Sequence, residues 1–230
     1  MVYITGDTHR DFRRVAAFCD TVHSEKDDIL IILGDVGINY FDEQKDNELK
    51  RRLNELPITL FCIHGNHEKR PETISTYKET NWHGGSVYIE SEFPTLIFAK
   101  DGEIYELGGK CCVVIGGAYS VDKQIRLANN WGWWQDEQPS AGIKQRVEQR
   151  LETKGWNVDI VFSHTCPMNY IPREVFLSSV DQSTVDNSTE KWLDEMENRL
   201  SYSRWYCGHY HTDKTIDKLR FLFNDFIELR

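Results

Sequence analysis

Five short apolar runs punctuate the chain, at residues 2–5, 29–33, 58–63, 158–162 and 205–207. The first four are rich in β-branched and aromatic side chains and are bounded by polar residues, a pattern that predicts strands buried on both faces. The fifth is weaker by itself. Between several of these runs the period changes to that of a helix. Phe12, Val15, Ala16, Cys19 and Val22 fall on one helical face, and residues 43–56, 143–154 and 188–200 are charged amphipathic stretches of helix length. Asn187 stands three residues before Glu190, the spacing of a capping box.

The middle of the chain has a different rhythm. Residues 87–90, 96–99, 103–107 and 112–115 read as consecutive antiparallel strands, with Lys100-Asp101-Gly102 as a hairpin turn between two of them. Residues 215–223 add strand near the end, and Phe226-Ile227 reads as core or edge strand. Strands alternating with helices at both ends, around a β-meander, predict an α/β protein built in layers. No repeat, low-complexity tract or linker divides residues 1–230, so one domain is expected.

Each of the five apolar runs is followed within a few residues by metal-competent side chains. These are Gly6-Asp7-Thr8-His9, Gly34-Asp35, Gly65-Asn66-His67-Glu68, Ser163-His164 and Gly208-His209-Tyr210-His211. In open α/β sheets, sites form at the carboxyl ends of strands, so five strand ends can converge on one cleft. Carboxylate, imidazole and carboxamide together suit borderline divalent metals such as Mn, Fe, Zn, Co or Ni, and disfavour Ca or an iron–sulfur cluster. There are enough ligands for two ions sharing one carboxylate, an arrangement that clamps a phosphoryl group. The glycines before the ligands are read as tight turns where a side chain would obstruct the phosphate.

These five blocks, in this order from Asp7 to His211, resemble the calcineurin-like metallophosphoesterase superfamily. The resemblance implies two facing mixed β-sheets flanked by helices, a four-layer sandwich. It further implies that Asp7, His9, Asp35 and His211 hold one metal, and Asp35, Asn66, His164 and His209 the other, with Asp35 bridging. Manganese is the favoured ion. Asn66 would also touch the substrate. His67 matches the family's non-ligand histidine, which faces the substrate and assists the leaving group. The implied reaction is in-line attack on phosphorus by a metal-bridging hydroxide, with phosphomonoesters or phosphodiesters, nucleotides among them, as substrates.

Composition narrows the partners. The net charge of −10 argues against an extended nucleic-acid interface, which needs a basic face. A small phosphorylated substrate remains compatible, because bound cations reverse the sign within one cleft. The six cysteines are scattered without C-x-x-C pairs, as expected of buried thiols in a reducing, cytoplasmic compartment. The first strand begins at residue 2, leaving no room for a signal peptide, and no apolar run has membrane-span length. Phe221-Leu222-Phe223 and Phe226-Ile227, read as core or edge strand, have a dimer contact as their alternative, and the oligomeric state is left open.

Departures from the family pattern leave alternatives open. Arg10 stands where glycine often follows Asp-x-His; it either reaches the phosphate or starts the next helix facing solvent. The block from Gly34 to Asn39 lacks the Val-Asp-Arg-Gly continuation of Ser/Thr protein phosphatases, which leaves the group orienting His67 unassigned. A protein phosphatase and a non-catalytic module retaining the fold are the rival readings. Trp131-Gly132-Trp133-Trp134 lies in an irregular stretch, residues 122–140, and either caps the core or forms a lid that stacks on a base. Lys123 and Arg126 precede it, with Arg126 a candidate phosphate contact. His64 either joins the site or merely finishes its strand. His209-x-His211-x-Asp213 also resembles the start of a metallo-β-lactamase motif, but Lys214 stands where that motif needs histidine.

Overall fold

A computed structural model describes residues 1–230. Two sheets face each other. The first sheet is built on three parallel strands, β1 (Val2–Thr5), β2 (Ile29–Ile32) and β3 (Thr59–Cys62). Beside them lie β4 (Lys78–Trp82), β5 (Gly85–Ile89) and β6 (Leu96–Ala99). The second sheet is built from β7 (Ile104–Leu107), β8 (Lys110–Ile115), β9 (Ile160–Ser163) and β10 (Arg204–Cys207). Two short strands, β11 (Lys214–Ile216) and β12 (Leu219–Phe221), extend it, while β13 (Phe226–Glu228) returns to the first sheet beside β1. The strand orders are β13-β1-β2-β3-β6-β5-β4 and β11-β12-β10-β9-β8-β7.

The apolar runs have no polar alternation because both of their faces are covered. Ile4, Ile31, Leu33, Phe61 and Ile63 of the first sheet meet Val114, Ile160 and Phe162 of the second in a core between the sheets. The intervening residues Leu30, Ile32, Leu60 and Cys62 point outward, onto α1 (Arg13–Val22) and α2 (Glu43–Asn54) through Val15, Cys19, Leu49 and Leu53. On the other side Val113, Val161, Trp205 and Cys207 pack against α4 (Ala141–Thr153) and α5 (Ser188–Glu197) through Val147, Leu151, Trp192 and Leu193. This is the expected four-layer sandwich of helices, sheet, sheet and helices. No helix is long and apolar enough to cross a membrane. All six cysteines are free, five of them buried.

Three expectations are corrected. The central strands are not one meander: β5 pairs with β6 and β7 with β8, but β6 and β7 belong to different sheets. Lys100-Asp101-Gly102 therefore carries the chain across the sandwich instead of closing a hairpin. The Asn187–Glu190 capping box does not form. Asn187 makes no side-chain cap, and Glu190 accepts a hydrogen bond from Thr165 instead. Within the stretch read as irregular, residues Lys123–Ala128 form a short helix, α3, with Ile125 and Leu127 exposed.

Candidate metal centre

The carboxyl ends of β1, β2, β3, β9 and β10 lie at one edge of the sandwich, and the loops that follow them meet there. His9, Asp35, His209 and His211 all have positive φ, between 44° and 64°. Non-glycine residues seldom occupy this region, and such conformations gather where surrounding structure holds a functional side chain in place. The glycines serve a purpose other than clearing room for phosphate. A Cβ on Gly34 would lie 2.1 Å from the His164 ring, on Gly65 2.1 Å from the Asp35 carboxylate, and on Gly208 2.2 Å from the Asp7 carboxylate. Each ligand side chain is laid across the bare backbone of a neighbouring loop.

Two clusters of donors result. Asp7, His9 and His211 form one, and Asp7, Asp35 and His164 form the other, each with its donor atoms within 4.8 Å of one another. His211 Nε2 lies 3.2 Å from Asp7 Oδ2, and His9 Nε2 lies 3.8 Å from the same oxygen. Asp35 sits at the centre. Its Oδ1 accepts the backbone N–H groups of Asn66 and His67 and lies 3.6 Å from His164 Nε2. Its Oδ2 lies 3.8 Å from His67 Nε2 and 4.0 Å from His9 Nδ1. The His209 ring stands 5.0 Å from that of His164, and its backbone N–H donates to Asp7 Oδ1.

The donor chemistry fits divalent cations. His164 Nδ1 donates to the Leu33 carbonyl at 2.7 Å, so in the neutral ring Nε2 is the nitrogen that carries the lone pair. Asn66 Nδ2 donates to Ser120 Oγ, which in turn donates to Glu137, so Asn66 Oδ1 is also an acceptor. These two acceptors face each other at 2.8 Å. A protonated ring would donate across this gap, and a metal ion would take a bond from each. The buried Asp7 Oδ2 has His211 Nε2 3.2 Å away, and His9 Nε2 and His211 Nε2 converge to 2.8 Å beside it.

The charge states agree. Burial alone would raise Asp35, but the imidazoles of His164, His67 and His9 hold it below the usual carboxylate range. Asp7 is lowered in the same way: burial opposes, and the hydrogen bond from His211 and the charge of His164 prevail. Burial and His164 push His209 down to about 3, so its ring is neutral.

The remaining expected residues divide. His67 lines the cavity beside the cluster, with Nδ1 buried and without a partner. Burial and the Arg126 charge lower its pKa, against the raising effect of Asp35. Arg126 reaches the site, with Nη2 3.4 Å from His67 Nε2, and is held there by Asp122, Tyr40 and the Gly132 carbonyl. Arg10 does not reach it. Its Nη1 donates to the Gly37 carbonyl and to Asp46 at 2.6 Å, and its guanidinium lies over the Phe41 ring, so it fastens two ligand loops to α2. His64 is buried, outside the cavity lining, with neither ring nitrogen partnered. The tryptophan segment does not line the cavity. Trp134 packs edge-on to Tyr40, and Lys123 sits over Trp133.

Three supporting residues were missed. Ser120 and Glu137, which fix the Asn66 amide, lie far along the chain and carry no local signal. Glu68 had a signal, being adjacent to His67. Its fully buried carboxyl accepts the N–H groups of Gly37 and Gly65 at 2.9 and 3.0 Å, pinning the second and third ligand loops together. Burial and the charge of Asp35 raise its pKa well above the ordinary value. Glu68→Ala leaves two buried donors without acceptors, each worth about 1–3 kcal/mol. Urea unfolding of the metal-free variant should therefore show a loss of roughly 2–5 kcal/mol. Glu68→Gln, which keeps one acceptor oxygen, should recover part of it.

Comparison with known proteins gives the family and the fold. A family model described as calcineurin-like phosphoesterase matches residues 1–213. No curated protein gives a match. The solved structure of TT1561 of Thermus thermophilus superposes with a TM-score of 0.56 at 10% identity, covering 97% of this chain and 89% of that one. That likeness concerns the fold alone. AQ665 from Aquifex aeolicus, described as a protein of unknown function, is 16% identical over 72% of this chain and 80% of its own, with a TM-score of 0.30.

Proposed function

We propose, from the premise that this chain belongs to the calcineurin-like phosphoesterase family, that it hydrolyses phosphoesters through a pair of adjacent divalent ions. Membership makes it a metal-dependent phosphoester hydrolase; the pair of ions, the residue roles and the reaction course are the proposal. Asp7, His9, Asp35 and His211 hold one ion, and Asp35, Asn66, His164 and His209 the other. The convergence of the Asp7, Asp35 and His164 donor atoms to within 4.8 Å of one another, beside the Asp7, His9 and His211 cluster, carries this reading. When bound, such ions polarise the phosphoryl oxygens and lower the pKa of a coordinated water.

The protein's own groups do the rest. Asn66 and Arg126 orient the phosphoryl oxygens, and the Leu33 carbonyl keeps His164 in its ligating tautomer. In the net reaction a water oxygen replaces the leaving oxygen on phosphorus. His67 Nε2 gives the leaving oxygen its proton, and a bound phosphate's negative charge raises the His67 pKa from the depressed value of the free protein.

The purified protein should carry or accept about two divalent ions per chain, as a shared-carboxylate site requires. Chelation should abolish turnover and lower the melting temperature, and Mn²⁺ should restore both. Metal content, thermal unfolding and hydrolysis of a panel of mono- and diesters measure this. Full activity in a metal-free sample would overturn the proposal.

A further inference from the structure

The ligand cluster opens into a cavity of about 370 Å³ whose far wall has a different character. Asp35, Asn66, His67, His209 and His211 form one end. The other is built by the segment 175–187 together with Tyr119, Val121 and Tyr210. From that segment Val175, Phe176, Leu177, Val180 and Val185 face the cavity. Leu177 is 64% exposed and Val121 45%, large apolar side chains left open to solvent beside a candidate catalytic site. The wall has no cation at all: none of the seventeen lining residues is lysine or arginine. Its charged members away from the ligand cluster are Asp122, already paired with Arg126, and Glu190, whose buried Oε2 has no hydrogen-bond partner. A second phosphate, a sugar acid or a nucleic-acid backbone would meet carboxylates there, with Arg126, already paired with Asp122 beside His67, as the nearest cation. An apolar group would cover the valines, leucine and phenylalanine that now face water, at about 25 cal/mol for each Å² removed from it.

We infer that the substrate is a phosphate ester with a single anionic centre, whose organic group is uncharged and apolar, and that the wall of residues 175–187 with Val121 receives that group. This rests on the metal-centre reading above. It commits the site against nucleoside polyphosphates and oligonucleotides, because both place further negative charge along this wall.

Non-reacting phosphonates test the wall separately from the chemistry. Methyl-, butyl- and hexylphosphonate, titrated calorimetrically into the Mn²⁺-loaded protein, share one metal-binding head and differ in the tail alone. Affinity should rise about fourfold per methylene until the cavity is filled. Hexylphosphonate, with five more methylenes, should therefore bind on the order of 1,000-fold tighter than methylphosphonate when all five are buried. A tail of the same length ending in a carboxylate should lose most of that gain. Leu177→Asn and Val180→Asn should each shrink the hexyl-to-methyl ratio, and thermal unfolding of both variants checks that they are folded. Equal affinity for methyl- and hexylphosphonate, or tighter binding of the carboxylate-ended tail, overturns the inference. Hydrolysis of the matching alkyl phosphates is measured alongside. Tail-dependent binding without any turnover would remove the catalytic reading and leave the wall as described.

Discussion

Replacing Asp35 by asparagine should leave a folded protein that has lost at least one metal ion and nearly all of its activity. The fold survives because the substituted amide keeps an oxygen where Asp35 Oδ1 accepts the N–H groups of Asn66 and His67 at 2.8 and 2.9 Å. What disappears is the negative charge amid His9, His67 and His164, and in the proposed centre that charge lies between two cations. Removing a mere outer partner of a metal ligand costs about 10–100-fold. A shared ligand should cost several orders of magnitude more in turnover. Metal analysis, thermal unfolding of the metal-free protein and hydrolysis rates together make the measurement. Wild-type metal content and rate in Asp35→Asn would show that this carboxylate is not shared.

His67→Ala should separate substrates by their leaving groups. An alkoxide is strongly basic and needs a proton as it departs, whereas a nitrophenolate is stable and hardly does. General acid catalysis contributes about 10²–10⁴-fold, so turnover of an alkyl ester should fall by that factor and turnover of a nitrophenyl ester by much less. Metal content should stay near wild type. If both esters slow equally with metal retained, His67 acts together with Arg126, 3.4 Å away, in holding the phosphoryl group. Loss of metal would make His67 a ligand.

The strands that carry the site were legible because strands buried on both faces leave unbroken apolar runs, and the ligand blocks follow those runs directly. The predicted runs at residues 2–5 and 29–33 coincide with β1 and β2 to within a residue. Pairing was less legible. Nothing local in Lys100-Asp101-Gly102 distinguishes a hairpin turn from a crossing between sheets; the outcome depends on Asp101 reaching Arg70 and the Gly116 N–H. The polar β4, with sequence Lys-Glu-Thr-Asn-Trp, shows no alternation because it is an exposed edge strand. The residues around the ligands were hidden for a similar reason. Ser120 and Glu137 act through a hydrogen-bond chain closed only by tertiary structure, and the wall at 175–187 has neither helical nor strand period. Arg10 was ambiguous in sequence because either role needs only a long cation beside a loop. Asp46, one turn into α2, decides it.

The close approach of ligand to foreign glycine has an evolutionary corollary. Asp7 rests on Gly208, Asp35 on Gly65 and His164 on Gly34; Gly65 also meets the Asp35 backbone and Gly34 has a φ of +99°, so it is Gly208 whose constraint comes chiefly from a side chain far away in the sequence. A lineage that drifted to alanine at residue 208 would first displace the carboxylate of residue 7. Conversely, a descendant that abandoned the metal and shortened residue 7 would free residue 208 to vary. Among sequences descended from this fold, loss of catalysis should therefore be recorded as paired changes between blocks. Residue 208 should relax together with residue 7, even while His209 and His211 persist.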